Sequence, residues 1–199
     1  MKFRNQLPTL FACLTLILSA CHENSEDEPL PAQELALHRV FTYPDASAMS
    51  KGYSPSDLKA VATNNSTEFH FYTGVILEVD KDATGNDHIN FTISPEKVTP
   101  GYVGTYTLKS VEDEAAGDAK VVLVHYTTND GGSIFDSQMN IVKGEYQITG
   151  YDAKNRLISG NYNVEIEEAA DPYAPIEERF NPKRIKAAIN GTFENVPVK

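Results

Sequence analysis

Alternation constrains this chain more than any other feature. In residues 158–167 (ISGNYNVEIE), Ile158, Gly160, Tyr162, Val164 and Ile166 share one face, and Ser159, Asn161, Asn163, Glu165 and Glu167 the other. Successive side chains of an extended strand point to opposite sides, so this pattern buries one face and wets its reverse. The same period of two runs through Ile89, Phe91 and Ile93, through Val142, Gly144, Tyr146 and Ile148, and through Ile185, Ala187, Ile189, Gly191 and Phe193. Residues 120–126 (KVVLVHY) are apolar on both faces and read as a more covered strand. A further long strand is expected over 69–79, interrupted by Gly74. Turn formers separate these segments at 82–87, 95–101, 129–132 and 152–155. The expectation is all-β, built from half-buried antiparallel strands.

A small repeat refines that expectation. Glycine stands two before an aromatic at Gly104/Tyr106, Gly144/Tyr146, Gly160/Tyr162 and Gly191/Phe193, hence on the same face. A strand glycine weakens a sheet unless its missing side chain is used. It permits a bend, or it lets an aromatic of a neighbouring strand cover bare backbone. Four such positions predict a strongly curved sheet, barrel-like or a tightly coiled β-sandwich. Residues 38–67 read less clearly. A first strand is expected at 38–43, and Ser54 with Pro55 has the form of a helix cap leading a short helix through Ala62.

The amino-terminal segment speaks to location. Lys2 and Arg4 precede an apolar run from Leu7 to Ala20, 14 residues long. Spanning a bilayer takes roughly 20. A basic start, a short apolar core and small residues at its end have the form of a secretory signal peptide. Leu18-Ser19-Ala20-Cys21 resembles the bacterial lipobox, in which the cysteine sulfur accepts a diacylglyceryl group and cleavage falls just before it. Ser25-Glu26-Asp27-Glu28 resembles the export signal of Bacteroidota surface lipoproteins. These resemblances imply a signal peptide over 1–20, a lipidated acidic tether over 21–37 and a single β domain over 38–199. They imply a membrane anchor through Cys21 in the outer membrane and exposure on the cell surface, with the periplasmic face as the alternative.

Without residues 1–20, which hold Lys2 and Arg4 of the 17 bases and none of the 28 acids, the formal charge of −11 becomes −13. Nucleic acid is therefore not an expected partner, because phosphate binding rests on clustered Lys and Arg. Cys13 leaves with the signal peptide and Cys21 takes lipid, so no disulfide joins the mature domain. Its fold stands on packing and hydrogen bonds.

Residues 148–167 (ITGYDAKNRLISGNYNVEIE) and 189–198 (INGTFENVPV), with GTYTL at 104–108, resemble the C-terminal half of uncharacterised Bacteroidota lipoproteins. The resemblance covers about residues 100–199 and rests on glycines, aromatics and hairpin formers. It implies an architecture and carries no activity.

Candidate chemistry is sparse. Asp80 to Gly85 begins like a calcium loop, but its twelfth position is Phe91, which removes the EF-hand reading. The five histidines show no zinc spacing. His70 and His125 lie in strands with geometry open to a meeting across a sheet, but satisfied or exposed histidines are the expected reading and no metal site is expected. No nucleophile elbow, HExxH or phosphate loop occurs, and no cofactor is implied. Residues 169–184 (AADPYAPIEERFNPKR) form the one unusual loop. Tyr173, Arg179, Phe180, Lys183 and Arg184 combine aromatics with cations, which suits stacking on a sugar or clamping a peptide. The expected role is a non-enzymatic binding or structural one, with a glycan, a peptide or an outer-membrane protein as ligand. The alternatives are an extracellular carbohydrate-active hydrolase and a lipocalin-like carrier of an apolar ligand.

Overall fold

A computed structural model describes residues 29–75, 86–127, 132–178 and 180–199. Eleven strands are named among them: β1 (Glu34–Thr42), β2 (Ala48–Gly52), β3 (Leu58–Asn64), β4 (Phe69–Val75), β5 (Asn86–Ile93), β6 (Gly104–Thr107), β7 (Ala119–Tyr126), β8 (Gly132–Asp136), β9 (Ile141–Asp152), β10 (Leu157–Ala170) and β11 (Arg184–Pro197). They form two antiparallel sheets, ordered β2-β1-β11-β10-β9-β6 and β3-β4-β5-β7-β8.

The alternation sets which faces meet. Leu35, Leu37, Arg39 and Phe41 of β1 point inward, as do Ile89, Phe91 and Ile93 of β5 and Val121, Leu123 and His125 of β7. The inner faces close on one another through rings. Phe71 of β4 lies 4.3 Å from Phe193 of β11, and Phe91 of β5 stacks 4.7 Å from Tyr146 of β9. Burying each such ring stabilises the fold by roughly 1.5–3 kcal/mol.

The two sheets cross. Gln33, just before β1, donates to the Ala60 carbonyl of β3. Further along, Arg39 meets Asp87 of β5, and Phe41 packs on His125 of β7 and Phe135 of β8. β1 therefore traverses the whole opposing sheet rather than running beside one of its strands, as in orthogonal sandwiches.

Neither sheet is closed or strongly curled, which corrects the barrel-like expectation. Two of the four glycines serve the other expected use. Gly160 stands opposite Phe193, and Gly191 opposite Tyr162, on neighbouring strands. A Cβ at Gly191 would lie 2.2 Å from the Tyr162 hydroxyl oxygen, and one at Gly160 2.7 Å from Phe193 Cζ. Gly160 and Gly191 make room for rings of the neighbouring strand, so their use here is aromatic cover.

Two further expectations change. Pro55–Asp57 form a single 3-10 turn, and Leu58 onward is β3, not helix. Pro55 does sit at the start of that turn, but Leu58, Ala60 and Ala62 are buried with period two, and burial of that face decides the conformation. The first strand begins at Glu34 rather than at residue 38, with Leu35 and Leu37 buried. Cys21, Ser25, Glu26, Asp27 and Glu28, the residues expected to carry lipid and an export signal, lie outside the described residues.

Candidate functional site

Three inward positions carry charge-bearing groups where the pattern calls for apolar ones. Arg39, Asp87 and His125 are each 0% exposed. Asp87 and His125 are register partners on β5 and β7, and Arg39 reaches them from the opposing sheet. Arg39 Nε donates to Asp87 Oδ2 at 3.0 Å, Tyr53 donates its hydroxyl to the same oxygen, and His125 Nδ1 lies 2.8 Å from Oδ1. Burial alone would raise the Asp87 pKa. The His125 hydrogen bond and the Arg39 charge outweigh it and hold the carboxyl below its usual range. Tyr53 is pushed far up, first by burial and then by the Asp87 charge. The Arg39 guanidinium also stacks 4.2 Å over the Phe41 ring.

This network reaches two surface segments. Arg39 donates to the Met49 carbonyl of β2 at 3.3 Å. On the other side His125 Nε2 lies 2.9 Å from the Tyr173 hydroxyl, in the β10–β11 loop. The Tyr173 backbone N–H donates to Asp171 Oδ1, which also accepts from the Tyr43 hydroxyl. Burial and then the Asp171 charge push the Tyr43 pKa up to about 12. Tyr43 and Met49 flank the β1–β2 hairpin loop, where Tyr43 N–H bonds the Ser47 carbonyl and Ala46 takes a positive φ of 65° to close the turn.

Between these segments opens a cleft of about 560 Å³, lined by Tyr43, Pro44, Asp45, Ser47, Ala48, Met49 and Lys183. That volume falls in the range of small-ligand sites. Its walls are mostly apolar, with a carboxylate, a hydroxyl and an ammonium at the rim. Asp45 is held below its ordinary pKa chiefly by hydrogen bonds from Ser47, with Lys183 adding a smaller pull.

The loop residues separate. Tyr173 is half-buried and anchors the loop to His125. Lys183 lines the cleft. Arg184 opens β11 and donates to the Glu168 carbonyl at 3.1 Å, at the bulge that shifts β10 against β11. Phe180 is fully exposed, and Arg179 lies outside the described residues. His70 and His125 do not meet: His70 faces outward against Thr92, and His125 faces inward. Among the described residues no group of three or more His, Cys, Asp or Glu could hold a metal ion. No family model matches the chain, and neither does any curated protein or solved structure.

The buried network is invisible to an alternation defined by apolar residues alone. Carried two residues back from Ile89, the period lands on Asp87. Carried on from Leu123 it lands on His125, and within β1 on Arg39. Charge at core parity on three strands was the available signal.

Proposed function

We propose that the chain is a surface-anchored lipoprotein that binds a ligand without altering it, and that the ligand sits in the cleft between the β1–β2 hairpin and Lys183. One observation carries this reading. The hydrogen-bonded path from Met49 through Arg39, Asp87, His125, Tyr173 and Asp171 to Tyr43 ties the hairpin wall to the core, and the Asp171 N–H, which donates to the Lys183 carbonyl, ties the opposite wall to the same path. Walls fixed in this way spare a ligand the entropy of ordering them.

A binding role is favoured over hydrolysis by the state of the carboxylates. A glycosidase acid needs a raised pKa and a proton to give. Asp87 and Asp45 are held low instead. Carriage of an apolar ligand inside the sandwich is disfavoured by the rings of Phe71, Phe91, Tyr146 and Phe193, which fill the space between the sheets. The cleft suits a glycan or peptide with one apolar face and a polar rim.

The test is glycan- and peptide-array binding by residues 21–199, compared with an Ala48→Trp variant that fills the cleft. Loss of the wild-type hits in the variant is expected. Hits that survive the substitution, or no saturable hit at all, refute the cleft as the site. For the anchor, Cys21→Ser should abolish labelling by an alkyne fatty acid. Replacing Glu26, Asp27 and Glu28 by Ala should protect the domain from protease on intact cells.

A further inference from the structure

The four sheet edges are treated differently. The β3 edge is occupied: the Ala62 carbonyl accepts from the Lys199 N–H, Asn64 N–H donates to the Lys199 carbonyl, and Gln33 takes the Ala60 carbonyl. The β6 edge is four residues long, and the Asp118 N–H covers the Thr107 carbonyl. The β2 edge carries Lys51 and borders the cleft. The β8 edge, GSIFD, has no charge before Asp136, and among the described residues no strand pairs with its outer side. Soluble proteins guard such edges with charge, proline or cover, because an unguarded one is a template for another strand.

Backbone polarity at β8 is readable. Asp136 turns away from β7, since its N–H donates to Asn140 Oδ1 and its carbonyl accepts from the Asn140 N–H. In an antiparallel ladder the bonding direction alternates by residue. Gly132 and Ile134 therefore present their N–H and C=O groups to the open edge. A second, independent observation lies beside them. Ile134 is 57% exposed, Met139 63% and Val111 49%, half of the six exposed large apolar side chains among the described residues. Val111 is joined to this corner by its N–H bond to the Asn140 carbonyl. Glu112 and Glu114, both exposed, follow Val111.

We infer that β8 is a second, separate binding surface. It takes an extended segment of a partner protein as an added strand. Main-chain bonds to Gly132 and Ile134 supply affinity, and alternate side chains supply selectivity. The apolar corner calls for apolar side chains on one face of that segment, and the acidic flank for Lys or Arg at its ends. A second copy of this chain is the less suited occupant, because it would bring its own glutamates to the same flank.

The test uses the mature chain and a dye-labelled blocked peptide, Lys-Val-Thr-Ile-Lys, with Glu-Val-Thr-Ile-Glu as its charge-reversed control. Anisotropy should show saturable binding of the first peptide, at least threefold weaker for the control. Amide exchange at Ile134 should slow at least tenfold with peptide bound. Ile134→Pro removes one edge donor and leaves the ladder to β7 intact, so affinity should fall at least tenfold. Ile134→Lys, which keeps the backbone donor, should weaken binding through the lost apolar contact, and it stands in if the proline variant does not fold. The inference is overturned if neither peptide binds, if both variants bind as wild type does, or if protection appears on β2 instead. It is also overturned if wild type alone sediments as a dimer that Ile134→Pro dissolves, which would make the occupant a second copy.

Discussion

Asp87→Asn tests the buried network most sharply. The substitution keeps shape and removes charge. One carboxylate now serves Arg39 and Tyr53 on Oδ2 and His125 on Oδ1. An amide has one acceptor oxygen, so either the Arg39 and Tyr53 pair or His125 must face a donor group. Arg39, 0% exposed, loses the Asp87 carboxylate without gaining water. Breaking a buried pair from one side costs about 3–5 kcal/mol. At roughly 2–4 °C per kcal/mol for a domain of this size, Tm should fall by about 6–20 °C. Thermal and urea unfolding at pH 7 read this directly. Adding Arg39→Met to Asp87→Asn removes the buried cation and should recover at least half of the loss. A single-variant loss under about 1 kcal/mol would refute the reasoning, since that is the scale of a solvated surface pair. So would a double variant whose losses simply add.

Acid should weaken the fold through the same residue. Because the folded Asp87 pKa lies below its unfolded value of about 3.9, its contribution is complete above that pH and lost as pH falls through the folded value. Urea midpoints between pH 5 and 2 should decline, and Asp87→Asn should flatten that decline. Gly160→Ala places a Cβ 2.0 Å from the Gln147 carbonyl oxygen, which no side-chain rotation relieves, so the strands must part. A loss of at least about 2 kcal/mol is expected, within the range for overpacked sites, and denaturant unfolding measures it. Tyr173→Phe removes the bond to His125 and should cost about 1 kcal/mol while speeding proteolysis within 171–183. Phe180→Ala, at a fully exposed position, should change stability by under about 0.5 kcal/mol in the same assays.

The long strands β10 and β11 were legible because their inner faces stay apolar over several periods, as in Ile185 to Phe193. β3 was not, because Ser54 and Pro55 carry a helix-start signal of the same form as the 3-10 turn they make. Which strand faces which lies outside a periodicity argument. The crossing of β1 over the second sheet depends on long-range contacts such as Gln33 with Ala60 and Phe41 with Phe135. The Gly-x-aromatic spacing was visible, but its pairing across β10 and β11 required the register. In the β10–β11 loop, residue types alone could not separate Tyr173, which turns inward, from Phe180, which turns outward.

The pairing of β1 with β11 has a mechanical side. Nine residue pairs, from Glu34 with Glu194 to Thr42 with Lys186, join the two strands. Ladder bonds lie across the strand axis. A pull entering at Glu34 along that axis loads all nine pairs together in shear. The same pull directed sideways would open them one after another. The proposed amino-terminal anchor would thus load the domain in its more resistant geometry, and the first element to carry that load is also the one that spans the opposing sheet.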